Sequence, residues 1–348
     1  MKVDAIGDYI LFRNFLKPLS EKFGKITLVA NKGCQEIVEQ CDMQFVDEVI
    51  YFERKKFTNN LWYRIGLLRK LRQKSFQALI HPTYGRDYCG EDLARNIIAL
   101  KKIAPKGDCS NVIDFHKKRF ERNYTDLLSN ADGLMFEFDR NAEFISQICE
   151  IKDIELSIDF PEWDISCFGL SSQYVVFFIG ASTSCRKWSV ERLCDLAEVL
   201  RNDLEIVICG GFEEWERGER IKGQLNGRNI KNLCGKTSLV ELGLILQKSE
   251  FVVSNETSCV HLYMGLKDKK KIYVLSAGNT IVRFAPYPQK YSSFYRAIFH
   301  PFICKNFERF CWIAEHITHS GGGLEINQIE HLQVLDQIKE DFPHYVKI

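Results

Sequence analysis

The stretch Phe251–Leu266, FVVSNETSCVHLYMGL, decides the fold. Its apolar start ends at Ser254 and Asn255, an acid and three small residues follow, and the remainder has the pattern of a helix. A strand, a polar turn and a helix start are typical of the edge at which an open α/β sheet binds its ligand. Small side chains expose backbone N–H groups and a helix N-terminus attracts anions, so this stretch predicts a phosphate-bearing ligand in the C-terminal half.

Length, charge and cysteine use narrow the class of protein. The 348 residues are enough for two domains that each bury a core. A net charge of +1 gives no overall field that would attract nucleic acid, and no nucleic-acid partner is expected. The 13 cysteines follow no disulfide spacing, and Met1–Asp4 starts no apolar leader. These features predict a cytoplasmic protein with reduced thiols.

Strands and helices alternate along both halves of the chain, on either side of the aperiodic stretch Leu156–Gln173, which reads as a linker. This alternation predicts an α/β protein with two Rossmann-like, doubly wound domains that face each other across a cleft. The predicted strands are Ile26–Ala30, Val46–Phe52, Ala78–His81, Tyr174–Ile179, Glu205–Cys209, Phe251–Val253 and Ile272–Leu275. The predicted helices are Ile10–Phe23, Leu61–Lys74, Val190–Leu200, Glu213–Leu225, Leu239–Leu246, His261–Leu266 and Ile326–Asp341.

Asp8 lies in a glycine-containing turn that opens a helix. A carboxylate in such a place can take a proton from a hydroxyl as a general base. Aspartate is also a favoured helix N-cap, and the tripeptide Ile6–Asp8 taken alone favours capping.

The loop Gly180–Trp188, GASTSCRKW, follows a predicted strand and precedes a predicted helix. Its small residues and hydroxyls allow close approach of a diphosphate, and Arg186 and Lys187 supply positive charge for a leaving group. A surface turn with two solvated cations is the alternative. The loop is not a Walker A motif, because no glycine precedes the lysine.

Three further features each have two interpretations. Glu214, which follows Gly211, can bind the hydroxyls of a ribose, or it can be a first-turn acid that the dipole of its own helix stabilises. His261 can donate to a phosphate or cap its helix. The basic run Arg54–Lys56, with the helix to Lys74, is a solvated face, or it meets an anionic acceptor or membrane surface.

Metal and nicotinamide sites lack their usual motifs. Cys304 and Cys311 are seven residues apart with no second cysteine pair, so a zinc site is not expected. The sequence contains no DxD motif for a nucleotide-bound metal and no GxGxxG.

Five motifs, in this order and at these distances, resemble glycosyltransferase family 9, the heptosyltransferase-like enzymes of bacterial lipopolysaccharide and surface-glycan assembly. They are AIGDYILFRNFLKPL (5–19), GASTSCRKWSVERLCDLAEVL (180–200), ICGGFEEWERGERI (208–221), NLCGKTSLVELGLIL (232–246) and the opening stretch (251–266).

The resemblance implies a GT-B fold. Residues 1–165 would form an acceptor-binding domain with a shortened first strand, and residues 166–325 a nucleotide-sugar-binding domain. The helix in residues 326–348 would pack back on the first domain.

The resemblance also implies an activity. An inverting enzyme would move heptose or another hexose-like sugar from a nucleotide-diphosphate donor, with an ADP-sugar as the leading expectation, and would need no metal. The acceptor would be a lipopolysaccharide core or another surface glycan, lipid-linked or an oligosaccharide. The enzyme would work in the cytoplasm, with peripheral contact to the inner membrane as an option.

By position, the resemblance gives residues their roles. The catalytic residues would be Asp8 as the base, with Arg186 and Lys187 at the diphosphate. The acceptor-binding residues would be Arg13, Tyr84 and Arg86. The donor-binding residues would be Gly180, Ala181, Ser182, Thr183, Gly211, Glu214, Thr237, Glu256, Thr257, Ser258 and His261.

Three departures from the family pattern keep other functions open. Glu256 and Ser258 stand where heptosyltransferases often have Asp and Gly, which puts heptose as the sugar in question. Only Met1–Ala5 precede the first turn, so we expect a missing central strand and a natural start upstream. The alternatives are an inactive GT-B scaffold of glycan assembly that binds nucleotide and, ranked lower, a sugar-nucleotide epimerase.

Overall fold

Two units of α/β structure follow each other along the chain, Met1–Leu156 and Ser157–Ile348. The structure is a computed structural model that describes residues 1–131, 133–278, 280–291, 293–316 and 324–347. The division lies at the start of the stretch predicted as a linker, ahead of the predicted boundary at residue 165. No helix among these residues is long and apolar enough to cross a membrane.

The first unit alternates short strands with helices. Its strands are β1 Thr27–Asn31, β2 Glu48–Phe52, β3 Ser75–Ile80, β4 Ile98–Pro105 and β5 Asp126–Leu128. Its helices are α1 Ile6–Arg13, α2 Leu16–Phe23, α3 Gln35–Ile37, α4 Arg54–Asn59, α5 Leu61–Arg72, α6 Tyr88–Asn96, α7 Asp114–Phe120 and α8 Glu137–Ser146.

The strands of the first unit form two separate parallel sheets, β1–β2 and β3–β4–β5. Lys2 makes a single parallel bridge to Ala30 of β1, and the Met1 amino group donates to the Ile80 carbonyl of β3 at 2.7 Å. Met1 and Lys2 thus lie between the two sheets.

The predicted helix Ile10–Phe23 is in fact two helices, α1 and α2. Pro18 explains the break, because a proline ring clashes with the carbonyl four residues earlier and lacks an N–H for that carbonyl. The carbonyl in question belongs to Asn14, the C-cap residue directly after α1.

The second unit repeats the alternation with longer buried runs. Its strands are β6 Tyr174–Phe178, β7 Glu205–Cys209, β8 Ile230–Asn232, β9 Phe251–Asn255, β10 Lys271–Ser276 and β11 Tyr295–Phe299. Its helices are α9 Val190–Val199, α10 Trp215–Gln224, α11 Leu239–Lys248, α12 Ser258–Gly265, α13 Pro301–Lys305, α14 Phe310–His316 and α15 His331–Asp341.

In the part of the second unit that the structure describes, six strands form one parallel sheet in the order β11–β10–β9–β6–β7–β8. Strands β6, β7 and β9 are buried almost throughout, which fits their continuous apolar sequences. Because the strands are parallel, the loops that follow β10, β9, β6 and β7 meet at one edge of the sheet.

The last helix, α15, packs on α9 of the second unit. Its side chains Val334, Leu335 and Ile338 belong to the apolar core under the sheet. The predicted packing of this helix on the first unit stays a prediction.

The chain enters the second unit at Ile158, whose N–H donates to the Gly265 carbonyl at 2.7 Å. Ile158 is 2% exposed, and a Cβ on Gly265 would lie 2.7 Å from its side chain. The segment predicted as a linker therefore begins as part of the core.

Replacing Ile158 with alanine should lower the free energy of unfolding by about 2–5 kcal/mol, because it removes buried methyl groups and leaves a cavity beside α12. The neighbouring Asp159 pairs with Lys267 on the surface, so Asp159→Ala should cost no more than about 1 kcal/mol. Urea unfolding of both variants measures the difference. Equal losses would mean that Ile158 is linker rather than core.

Candidate functional site

Polar and glycine residues stand at the carboxyl ends of four adjacent strands of the second unit. Ser276 ends β10 and Asn255 ends β9. Gly180 is the second residue after β6, and Gly210 is the first residue after β7. The sequence-predicted donor residues therefore come together at one sheet edge, as the parallel topology requires.

Asn255 fixes the loop Gly180–Trp188 to this edge, a role that the sequence analysis missed. Its buried amide donates to the carbonyl oxygens of Ile179 at 3.0 Å and Gly180 at 3.3 Å. Its side-chain oxygen accepts from the Trp188 N–H at 3.1 Å. The sequence signal for this role is a polar residue at the end of an apolar strand. The two ends of the loop that Asn255 contacts lie far from it in sequence, so the signal alone does not identify them.

Arg186 and Glu256, both predicted site residues, lie side by side. The guanidinium donates to the Glu256 backbone carbonyl, and its Nη2 is 3.7 Å from the carboxylate Oε1. The same guanidinium reaches the Ser182 hydroxyl at 3.5 Å. The Arg186 side chain is 20% exposed, so this cation is oriented yet accessible.

The Glu256 carboxylate is buried and held by hydroxyl groups. Ser276 donates to it at 2.5 Å, and Thr280 donates to its other oxygen. Burial raises the pKa of Glu256, and the Arg186 charge and the Ser276 hydrogen bond act against that rise. In this arrangement Glu256 orients Arg186, and its contact with a donor sugar stays a prediction.

Lys187 and Glu214 form a second pair of predicted site residues, with 2.6 Å between Nζ and Oε1. A Cβ on Gly211 would lie 3.2 Å from the Glu214 carboxylate, and one on Gly180 would lie 3.7 Å from it. The acid is buried and the lysine 24% exposed. A side chain at Gly211 would therefore crowd this acid, whereas one at Gly180 would be in ordinary contact with it.

His261 lies on α12 in contact with Tyr287, a residue that the sequence analysis did not single out. Its Nδ1 is 2.7 Å from the tyrosine hydroxyl. Burial, and secondarily the Arg186 charge, lower the pKa of His261 to about 3. Burial also raises the pKa of Tyr287, so the hydroxyl keeps its proton. The imidazole is therefore neutral at ordinary pH.

The remaining predicted donor residues lie around these pairs. Ala181, Thr257 and Ser258 are half-buried, and Ser182 and Thr183 are exposed. Thr257 caps α12 without a side-chain bond to the helix. The half-buried Thr237 follows the turn in which Gly235 donates to the Gly210 carbonyl at 2.9 Å.

A cavity of about 440 Å³ opens between this loop and the starts of α9 and α10. Ser184 and Lys187 line it on the loop side, and Glu213, Glu216 and Arg217 line it near α10. It contains charges of both signs.

In the first unit, Asp8 lies in the first turn of α1 and is half-buried. The ammonium of Lys2, 1% exposed, is 3.1 Å from the Asp4 carboxylate. Burial opposes the charge on Lys2, but Asp4, Asp8 and Glu137 together raise its pKa. A buried cation thus belongs to the electrostatic surroundings of Asp8.

Of the three predicted acceptor residues, two are buried in ion pairs. Arg13 Nη2 lies 2.6 Å from Asp42, and Arg86 Nε lies 2.6 Å from Glu91. Both guanidinium groups hold the first unit together. Tyr84 is half-buried with the Arg140 guanidinium 3.9 Å above its ring. Contact of these three with an acceptor stays a prediction.

The basic run of the first unit has many acidic partners. Arg54 pairs with Asp87, Lys56 with Glu53, Arg64 with Asp92 and Lys74 with Glu48. These pairs favour the interpretation as a solvated face. Among the residues that the structure describes, no group of three or more His, Cys, Asp or Glu is arranged to hold a metal ion.

Known proteins share both the sequence pattern and the fold. Residues 124–295 match the family model Glycosyltransferase family 9 (heptosyltransferase). No curated protein sequence matches the chain.

Several solved structures superpose on nearly the whole chain. The family 9 glycosyl transferase from Veillonella parvula DSM 2008 is 17% identical, with a TM-score of 0.71 over 97% of this chain and 94% of that one. The E. coli heptosyltransferase WaaC with ADP is 16% identical, with a TM-score of 0.67 over 98% of this chain and 100% of that one. The E. coli ADP-heptose lps heptosyltransferase II is 14% identical, with a TM-score of 0.68 over 97% of this chain and 96% of that one.

At these identities the structures show a shared fold, the α/β GT-B fold of glycosyltransferases. The family model covers four of the five motifs, so the resemblance of this chain to glycosyltransferase family 9 is confirmed.

Proposed function

We propose that this protein transfers a heptose or related sugar, with inversion, from an ADP-sugar to a surface-glycan acceptor. One observation carries the proposal: Arg186 and Lys187 stand beside Glu256 and Glu214 at a single sheet edge. Structures with this fold include WaaC with ADP and with ADP-2-deoxy-2-fluoro heptose, which supports an ADP-sugar as donor.

The reaction is a single displacement. Asp8 accepts the proton of an acceptor hydroxyl, and the oxygen bonds to the anomeric carbon of the sugar. The bond from that carbon to the diphosphate oxygen breaks on the opposite face, which inverts the configuration. The diphosphate leaves with the bonding electron pair.

Arg186, Lys187 and the backbone N–H groups at the start of α12 stabilise the leaving diphosphate. Both cations are held by buried acids before the donor binds, so little side-chain freedom is lost on binding. Preorganised charge of this kind is effective in catalysis, and we propose that it serves in place of a metal.

His261 contributes a neutral hydrogen-bond donor. The Tyr287 hydroxyl keeps its proton and can donate to Nδ1, which leaves the proton of the neutral imidazole on Nε2. That N–H is the group that we assign to a donor phosphate.

The acceptor and the site of action are part of the proposal. A lipopolysaccharide core or another surface glycan fits the family pattern, and the enzyme would meet it at the cytoplasmic side of the inner membrane. Contact with the membrane surface itself stays a prediction, since acids pair with much of the basic run.

Replacing Asp8 with asparagine should lower sugar transfer by about 10²–10⁴-fold, because it removes the proton acceptor while keeping the side-chain shape. The affinity for the ADP-sugar should stay unchanged. Transfer assays and calorimetry measure the two quantities. Asp126→Asn, an exposed carboxylate of the same unit, is the control and should retain full activity. Equal turnover of the Asp8 variant and the control would eliminate Asp8 as the base.

Arg186→Met should weaken binding of the ADP-sugar by about 10- to 100-fold, the value of a charge-assisted hydrogen bond. Arg186→Lys should give an intermediate loss, because lysine keeps the charge without the guanidinium fork. Arg192→Met is the matched control, since Arg192 pairs with Glu330 instead. Calorimetry measures the affinities, and circular dichroism confirms folding. If the Arg186 and Arg192 variants bind alike, Arg186 does not contact the diphosphate.

His261→Gln keeps a hydrogen-bond donor, so its effect on ADP-sugar affinity should be the same at every pH from 5.5 to 8. A histidine that titrated near its ordinary pKa of about 6.5 would behave differently. It would gain charge as the pH falls and would bind the diphosphate progressively better than glutamine. Calorimetric titrations of the natural protein and of the His261→Gln variant across this pH range compare their affinities for the ADP-sugar. A growing advantage of histidine at low pH would contradict the neutral assignment.

The same reagents distinguish the alternative functions. Transfer requires an acceptor, epimerisation of a nucleotide sugar requires none, and a scaffold changes no sugar. Incubation with ADP-, UDP- and GDP-sugars, each with and without a lipopolysaccharide-core acceptor, therefore identifies the class and the donor.

A further inference from the structure

Phe212 is an exposed aromatic side chain on the turn that follows β7. It is 82% exposed and begins a single helical turn that ends at Glu214, whose N–H donates to the Gly211 carbonyl at 3.1 Å. The ring and the predicted ribose-binding acid therefore share one turn at the sheet edge that carries the donor residues. A single exposed apolar side chain is ordinary on a protein surface, so the exposure of Phe212 alone assigns no role.

The turn after β8 is shaped around Phe212. Gly235 in this turn has a φ of +68°, which glycine adopts readily, and a Cβ on it would lie 2.7 Å from the Phe212 Cα and 3.2 Å from the ring atom Cδ2. The Gly235 N–H donates to the Gly210 carbonyl at 2.9 Å, and the Lys236 ammonium lies 4.2 Å from the centre of the Trp215 ring. These contacts tie the turn to residues on both sides of Phe212.

The Phe212 side chain is consequently fixed at its root and open on its face. Its ring edge meets the backbone of Gly235, which is itself exposed, at a position where any other side chain would collide with Phe212. Most of the ring is open to solvent. An aromatic ring held in this way offers its face to a flat group that stacks on it.

The order of the strands indicates which flat group comes near the ring. Arg186 and Lys187, which we assign to the diphosphate, follow β6, and Glu214, which can bind the ribose, follows β7. Strand β8 lies next to β7, on the side away from β6. In a nucleotide, the diphosphate and the base are attached to opposite sides of the ribose. The base therefore extends from Glu214 towards the turn after β8, against which Phe212 lies.

We propose that the Phe212 ring stacks on the nucleobase of the donor and thereby positions the nucleotide. This stacking rests on the proposed function, because it requires the diphosphate to lie at Arg186 and Lys187. Stacking on an aromatic side chain needs no hydrogen bond, and every base has a π-face, so Phe212 accepts any base. A purine has a larger face than a pyrimidine, so this contact should stabilise bound ADP more than bound UDP.

Two simpler roles for Phe212 lead to different results. If the side chain only fills space beside Gly235, its removal would disturb the turn and weaken every ligand of this sheet edge, inorganic diphosphate included. If it offers only an apolar contact to the base, leucine would replace it. Stacking requires an aromatic ring and affects only ligands that carry a base.

The test measures binding of ADP, UDP, GDP and inorganic diphosphate to the full chain by calorimetry. Phe212→Ala should weaken ADP binding by about 5- to 150-fold, the value of one base stacked on an aromatic ring, and UDP binding by less. Phe212→Leu should lose nearly as much, whereas Phe212→Tyr should bind ADP like the natural protein. All three variants should bind inorganic diphosphate equally, because Arg186 and Lys187 are unchanged. Trp163→Ala removes another exposed aromatic side chain of the second unit and, as the control, should leave every affinity unchanged.

Three results would overturn the stacking role of Phe212. The first is equal ADP affinity of the natural protein and the Phe212→Ala variant. The second is full ADP affinity of Phe212→Leu, which would mean that an apolar contact suffices. The third is a parallel loss of inorganic diphosphate binding, which would mean that Phe212 only supports the turn.

The donor assignment is tested separately by the natural protein. If UDP or GDP binds it most tightly, the ADP-sugar is the wrong donor, and the affinity of Phe212→Ala for the nucleotide that binds best then decides the stacking role. If no nucleoside diphosphate binds more tightly than inorganic diphosphate, Phe212 stacks on no base, whatever the transfer assays show.

Discussion

One buried carboxamide, that of Asn255, holds the donor side of the site together. It bonds to both ends of the loop that starts at Gly180 and ends at Trp188. Because β9 lies next to β6, these bonds close the loop across two neighbouring strands. Glu256 is the next residue along the chain, so the contact between Arg186 and Glu256 depends on the same anchor. An aspartate in place of Asn255 could accept from Trp188 but could not donate to the two carbonyls.

Two acid–cation pairs result from this anchoring. In each pair the acid is more deeply buried than the cation. The acids Glu256 and Glu214 are buried, whereas Arg186 and Lys187 remain partly exposed. A buried carboxylate is stable only beside a partner, so each acid keeps its cation at the sheet edge. An arriving anion can approach the exposed side of both cations without breaking either pair. The Arg186 charge also helps to keep His261 neutral, which separates cation and hydrogen-bond donor into two residues.

The sequence predicted the second unit well and the first unit less well, for physical reasons. Buried parallel strands are continuous apolar runs, and the predicted strand Glu205–Cys209 coincides with β7. Strand β4 has Lys101 and Lys102 in its middle and is half-exposed there, so it shows no such run. Site residues at strand ends were predictable from their position. The burial of Arg13 and Arg86 was not, because their partners Asp42 and Glu91 are set by tertiary packing.

Lys2 links the architecture of the first unit to its chemistry. Its backbone N–H pairs with β1 between the two sheets, and its ammonium lies among acids that include Asp8. A buried ammonium persists only where nearby negative charge outweighs desolvation, and Asp4, Asp8 and Glu137 provide that charge. The surroundings of Asp8 therefore depend on how firmly the backbone at Lys2 is paired.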